Sequence, residues 1–210
     1  MPRPKGPQPD RQLLMAAAVI AIAGSIAMVL GNVIGSMVVP GHDWIADTVS
    51  DLAAGRYEII QDVALYFYAA ALTVCALAAA NLHQDGLRWN LGIGCLSILA
   101  TCVVIIGARN EYGDSDNEGI VIHIYIVYLL GLLFAALFLL MARGMGKVSA
   151  RYARISHACA ALWILGAPIF FFLPDSIDGL YERGLGVITL VWVLAFAAML
   201  ISVARGTARP

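Results

Sequence analysis

Residues 13–39 read LLMAAAVIAIAGSIAMVLGNVIGSMVV and carry no charged side chain. A helix rises about 1.5 Å per residue, so about 20 such residues cross the roughly 30 Å hydrocarbon core of a bilayer. The run is read as a membrane helix from Leu13 to Val39, closed by Pro40-Gly41. Arg3, Lys5 and Arg11 ahead of it could be taken for the basic flank of a signal peptide. It is too long for that role, and no small-residue cleavage site breaks it.

Five further apolar runs follow, at about 63–80, 91–108, 120–142, 157–173 and 185–204. The expected fold is all-α: a polytopic membrane protein forming one six-transmembrane-helix bundle over residues 1–210, with residues 1–11 as a cytoplasmic tail. Composition agrees. The chain is 61% hydrophobic and 13% charged, with mean hydropathy +0.83, against roughly 45–50% and about 25% for a soluble domain. That much apolar surface excludes a water-soluble fold, and nothing points to nucleic acid. Cys75, Cys95, Cys102 and Cys159 lie in or beside apolar runs without metal or redox spacing, and read as packing residues.

Orientation follows from the basic residues of the short loops, which stay on the cytoplasmic side. With the N-terminus inside, the inner segments hold Arg3, Lys5, Arg11, Arg88, Arg143, Lys147, Arg151, Arg154, Arg205 and Arg209, and the outer ones only Arg56, Arg109 and Arg183. Both termini are therefore expected in the cytoplasm, in the cytoplasmic (inner) membrane of the cell. The acids run the other way, with only Asp10 and Asp85 inside. Trp44, Tyr57, Tyr112 and Tyr181 are expected in an outer aromatic belt and Trp89 and Tyr152 in an inner one. Gly31 and Gly35, with Gly24 further back, are small residues that let helices approach closely.

The first outer segment, His42-Asp43-Trp44-Ile45-Ala46-Asp47-Thr48-Val49-Ser50-Asp51-Leu52-Ala53-Ala54-Gly55, is the richest in chemistry. As one helix it would set Asp43, Asp47 and Asp51 on one face beside Ser50. Alternatively Asp47 caps a short helix ending at Gly55, with Thr48 and Asp51 paired as in a capping box. His123 lies about one turn into the fourth helix, where it could meet these carboxylates as a proton carrier or metal ligand, or simply bond a backbone carbonyl. Any metal would take His42, Asp47 and His123; cofactor use is otherwise unknown. Asp114-Ser115-Asp116-Asn117-Glu118-Gly119 opens like a calcium loop, but Tyr125 stands where the bidentate glutamate is required, so it reads as a solvated acidic turn. Before the last helix come Asp178, Glu182 and Arg183. An acid is favoured at a helix start, and Arg183 wants a partner there, a carboxylate or a lipid headgroup.

Thr48-Val49-Ser50-Asp51-Leu52-Ala53-Ala54-Gly55 and Gly179-Leu180-Tyr181-Glu182-Arg183 resemble the two landmarks of the domain-of-unknown-function 998 family of prokaryotic six-helix membrane proteins, and the likeness spans nearly the whole chain. The plan is also similar to the Frag1/DRAM/Sfk1 group, whose biology concerns lipids. The resemblance implies the architecture, leaves the reaction open, and puts Ser50, Asp51, Glu182 and Arg183 first among candidate positions. Two functions are expected. In one, the outer face binds or processes a lipid or amphiphile, with Ser50 as nucleophile or donor, Asp51 and His123 as base, and His42, Asp43, Asp47, Arg109, Asp178, Glu182 and Arg183 as binding groups. In the other, the acidic outer loops dock a protein partner, or the chain forms a homo-oligomer, without catalysis.

Overall fold

The computed structural model describes residues 8–53, 55–84, 86–108 and 123–207. Arg109, Tyr112, the acidic turn at 114–119, the expected start of the fourth membrane helix at 120, and Asp85 lie outside these residues.

The elements in order are α1 (Arg11–Val38), α2 (Val49–Leu52), a 3-10 turn (Gly55–Tyr57), α3 (Ile59–Asn81), α4 (Leu87–Ala108), α5 (His123–Val148) and α6 (Ala150–Gly166). The last of these continues as a 3-10 segment (Ala167–Phe172), and a further 3-10 turn (Asp175–Ile177) leads into α7 (Asp178–Ala204). Six segments, all but α2, are long and apolar enough to cross a membrane, and the described residues contain no strand. The chain is thus an all-helical, multi-pass membrane protein.

The helices outrun the apolar segments that predict them. Thus α3 begins at Ile59 and not Val63, α4 at Leu87 and not Leu91, α6 at Ala150 and not His157, and α7 at Asp178 and not Leu185. An apolar run marks only the part that matches the hydrocarbon, whereas polar flanks continue the backbone ladder until a cap stops it. Asp10 shows this for α1, accepting the N–H groups of Gln12 and Leu13.

The helices form a ring in the order α1, α3, α4, α5, α6, α7 and back to α1, with α7 also touching α3 and α5. Glycine sets the closest approach. A Cβ on Gly24 would collide with the Phe67 carbonyl and one on Gly31 with Ala64, both on α3. Gly35 instead faces Leu52 of α2, so the expected Gly31/Gly35 pair serves two different neighbours.

Packing is dense across all six long helices in the half of the bundle nearest the α3–α4 and α5–α6 connections. There Trp192 stacks on Phe196 at 5.3 Å and meets Phe138 at 5.8 Å. Ser156 settles the polar atoms, donating to the Phe138 carbonyl and accepting from the Trp192 indole. Trp89, expected at the interface, is 4% exposed and donates to the Ala79 carbonyl. Its ring fills the space left by Gly144, where a Cβ would overlap it.

Toward the opposite end α1, α3 and α4 stay packed, through Gly31, Ala64 and Gly107, whereas the α5–α7 side opens. No residue of α5 between His123 and Phe134 is buried, none of α7 between Gly179 and Thr189, and none of α6 beyond Trp163. This hollow end carries the 42–58 connection.

Candidate functional site

The 42–53 connection is not one helix. Asp43 takes the N–H groups of Ile45 and Ala46 in a tight turn, and these bonds hold its carboxyl below the usual range. Asp47 Oδ2 accepts the N–H of Asp43 at 2.7 Å. Thr48, not Asp47, is the cap: extended at φ −74°, ψ 167°, it forms a reciprocal capping box with Asp51. Asp43, Asp47 and Asp51 therefore each spend an oxygen on the segment's own backbone and do not line up as one helix face. Leu52, fully buried, pins the segment on Gly35, and Gly55 turns the chain at φ +76°.

This segment is fastened to the start of α7. The N–H groups of Gly179 and Leu180, which no helical carbonyl can satisfy, donate to Ala46 O at 3.1 Å and Ile45 O at 2.9 Å. Glycine is required at 179, because a Cβ would run into the Asp47 carbonyl. Glu182 Oε2 accepts the N–H of Val49 at 2.7 Å.

Arg183 completes the fastening. Its Nε donates to Asn32 Oδ1 at 3.0 Å, and Nη1 to the carbonyls of Trp44 at 3.0 Å and Asp47 at 2.8 Å. Nη2 reaches Ser36 Oγ at 3.5 Å and His42 Nε2 at 3.0 Å. A guanidinium has five N–H donors, and here each has an acceptor inside the protein. The Trp44 ring covers it at 4.3 Å.

The His42 side chain is 1% exposed, with Nδ1 3.5 Å from Asp47 Oδ2. Accepting from Arg183 on one nitrogen and facing a carboxylate on the other, it fits as the neutral ring carrying its proton on Nδ1. Burial, then the Arg183 charge, push its pKa below the ordinary value against the pull of Asp47, Asp51 and Asp43.

Beneath the fastened segment lies a cavity of about 770 Å³, within the range of small-molecule sites. Its wall comes from α1, α3, α4, α5, α6 and α7, and the Val49–Ser50 turn helps close its end. The floor is where dense packing resumes: Tyr68 donating to Thr189 at 3.0 Å, with Phe134 and Trp163 5.2 Å apart. The wall is apolar except for Asn32, Ser50, His123, Glu182 and Arg183 at the end under the fastened segment and the Tyr68–Thr189 pair at the floor. Ser50 Oγ is 3.5 Å from His123 Nε2.

Of the residues singled out in the sequence, Ser50, His123, Glu182 and Arg183 line this cavity. His42, Asp43, Asp47 and Asp51 build the segment above it. Asp178 stands at the α7 start with a buried Oδ1 that has no partner among the described residues. Arg109 is outside them. His42 and Asp47 adjoin, but His123 is turned to Ser50, so these three are not one ligand set; no group of three or more His, Cys, Asp or Glu suited to a metal occurs among the described residues. Sequence reasoning missed Asn32 and Ser36, although an asparagine within an apolar run was a signal. It also missed the Tyr68–Thr189 floor.

No curated protein and no solved structure matches the chain. The family described as "Protein of unknown function (DUF998)" matches residues 13–199, which includes both fastened segments and all or most of each of the six membrane-crossing helices. The protein belongs to the DUF998 family, as a multi-pass helical member whose two short landmarks meet over a cavity.

Proposed function

We propose that the protein binds a membrane amphiphile, with the alkyl chain in the cavity and the polar head at Ser50, His123 and Glu182. One observation carries this: the cavity is apolar along its depth and polar at the end under the 42–53 segment, which is taken as its mouth. From the first residue of α7 to Thr189 is eleven residues, about 16 Å of helix, so the floor lies well inside the hydrocarbon region when the mouth sits at its edge. An apolar void of this size in a bilayer is a natural seat for a chain.

The site end is taken to face outward from the cytoplasmic membrane, with both termini inside, because the basic residues gather at the other end. An amphiphile with a diazirine near its chain terminus tests the reading. It should label the floor around Phe134, Trp163 and Leu190. Labelling confined to outward residues such as Leu77 and Leu139 contradicts it.

A second reading, chemical processing of the amphiphile, draws on the 3.5 Å approach of Ser50 to His123, a hydroxyl beside a general base at the mouth of the cavity. Under this reading Ser50→Ala abolishes turnover of a bound ester and leaves its binding intact. Unchanged turnover removes Ser50 as nucleophile.

A further inference from the structure

We propose that the head group selected at the mouth is a hydrogen-bond donor, an ammonium or a hydroxyl on a single alkyl chain, and that Glu182 selects it. This rests on the amphiphile reading above.

An anionic head needs donors, and the lining does not offer a free cationic one. Arg183 is the only cation lining the cavity among the described residues, and all of its nitrogens are already bonded within the protein. It is also unable to swing free without releasing Trp44, Asp47 and His42 together. A phosphate or carboxylate entering here would find that charge already committed.

Glu182 offers the opposite chemistry. Its Oε2 is fixed by the Val49 N–H at 2.7 Å, which orients the carboxyl group, while Oε1 accepts no hydrogen bond among the described residues. The side chain lines the cavity beside Ser50 and His123. The Arg183 charge acts on it as well as those of Asp51 and Asp178, so the field at this end is of mixed sign and the selection rests on the acceptor that Glu182 offers. A donor head would give Glu182 Oε1 a partner while its chain fills the apolar depth.

The test uses the full-length protein in phosphatidylcholine nanodiscs at neutral pH, titrated by tryptophan fluorescence with dodecylamine, dodecanol, dodecanoate and dodecyl phosphate. Gly186→Leu serves as the blocked-cavity control, because Gly186 lines the cavity and a Cβ there meets nothing. The amine and the alcohol should bind at least about tenfold more tightly than the two anions. Glu182→Gln keeps an acceptor for Val49 and should weaken the amine about tenfold while moving the alcohol less than about threefold. Anions binding as well as the amine, or a Glu182→Gln variant with unchanged preferences, overturns the selection. If all four probes bind equally yet remain sensitive to Gly186→Leu, head selection alone fails. If no probe shows sensitivity to Gly186→Leu, the cavity reading fails and takes this inference with it.

Discussion

The carboxylate of Glu182 accepts the backbone N–H of Val49 at 2.7 Å across 133 positions of sequence. This bond joins the two short landmarks of the chain, and Arg183, the next residue, holds the same segment through the Trp44 and Asp47 carbonyls. Both residues thus fix the segment over the cavity, and in the proposed reading Glu182 also presents its remaining carboxylate oxygen to the bound head group.

Gly179→Ala should be strongly destabilising, by about 2–4 kcal/mol, because the added methyl meets a backbone carbonyl that cannot move without unseating the whole segment. Gly184→Ala, five residues on in the same helix, meets nothing. It should be neutral or stabilising by up to about 1 kcal/mol through helix propensity. Thermal unfolding of both variants in one detergent checks the contrast, and equal melting temperatures would contradict it.

Arg183→Lys should behave nearly as badly as Arg183→Ala. Lysine keeps the charge but has three donors on one atom and cannot span Asn32, Trp44, Asp47 and His42. A loss of about 2–4 kcal/mol is expected from the stranded acceptors. A fully stable lysine variant would show that charge alone suffices.

His42 makes this end sensitive to acid. Its pKa is lowered in the folded protein, so the unfolded chain binds the proton more readily. The stability given by the neutral ring is therefore complete above about pH 6.5 and declines as pH falls through the folded value. His42→Gln does not titrate. The melting-temperature advantage of the wild type over this variant should shrink between about pH 8 and about pH 5. A constant advantage would contradict the assignment of a neutral, Arg183-bonded ring.

The architecture was legible because the hydrocarbon core demands long uncharged runs, and Leu13–Val39 satisfies that on sight. The meeting of the Ser50-Asp51 and Glu182-Arg183 segments was foreseeable only as a condition for a site. Its detail was hidden because the partners of Arg183 are mostly backbone carbonyls, which every residue has. That Trp89 turns inward was hidden for a related reason: tryptophan suits both an interface and a core, and only Gly144 opposite decides for the core. The cavity left no mark, since chain-lining and lipid-facing positions are equally apolar and inward glycines such as Gly131 and Gly186 look like packing residues.

The most direct measurement is native mass spectrometry of the protein released from its own membranes, wild type beside Gly186→Leu, with the melting temperature of each recorded. The account predicts one retained amphiphile on the wild type and none on the variant, whose stability is unchanged or higher because a Cβ at 186 enters open space. A wild type that emerges bare, or a variant that keeps the same bound mass, would contradict the cavity as the binding site.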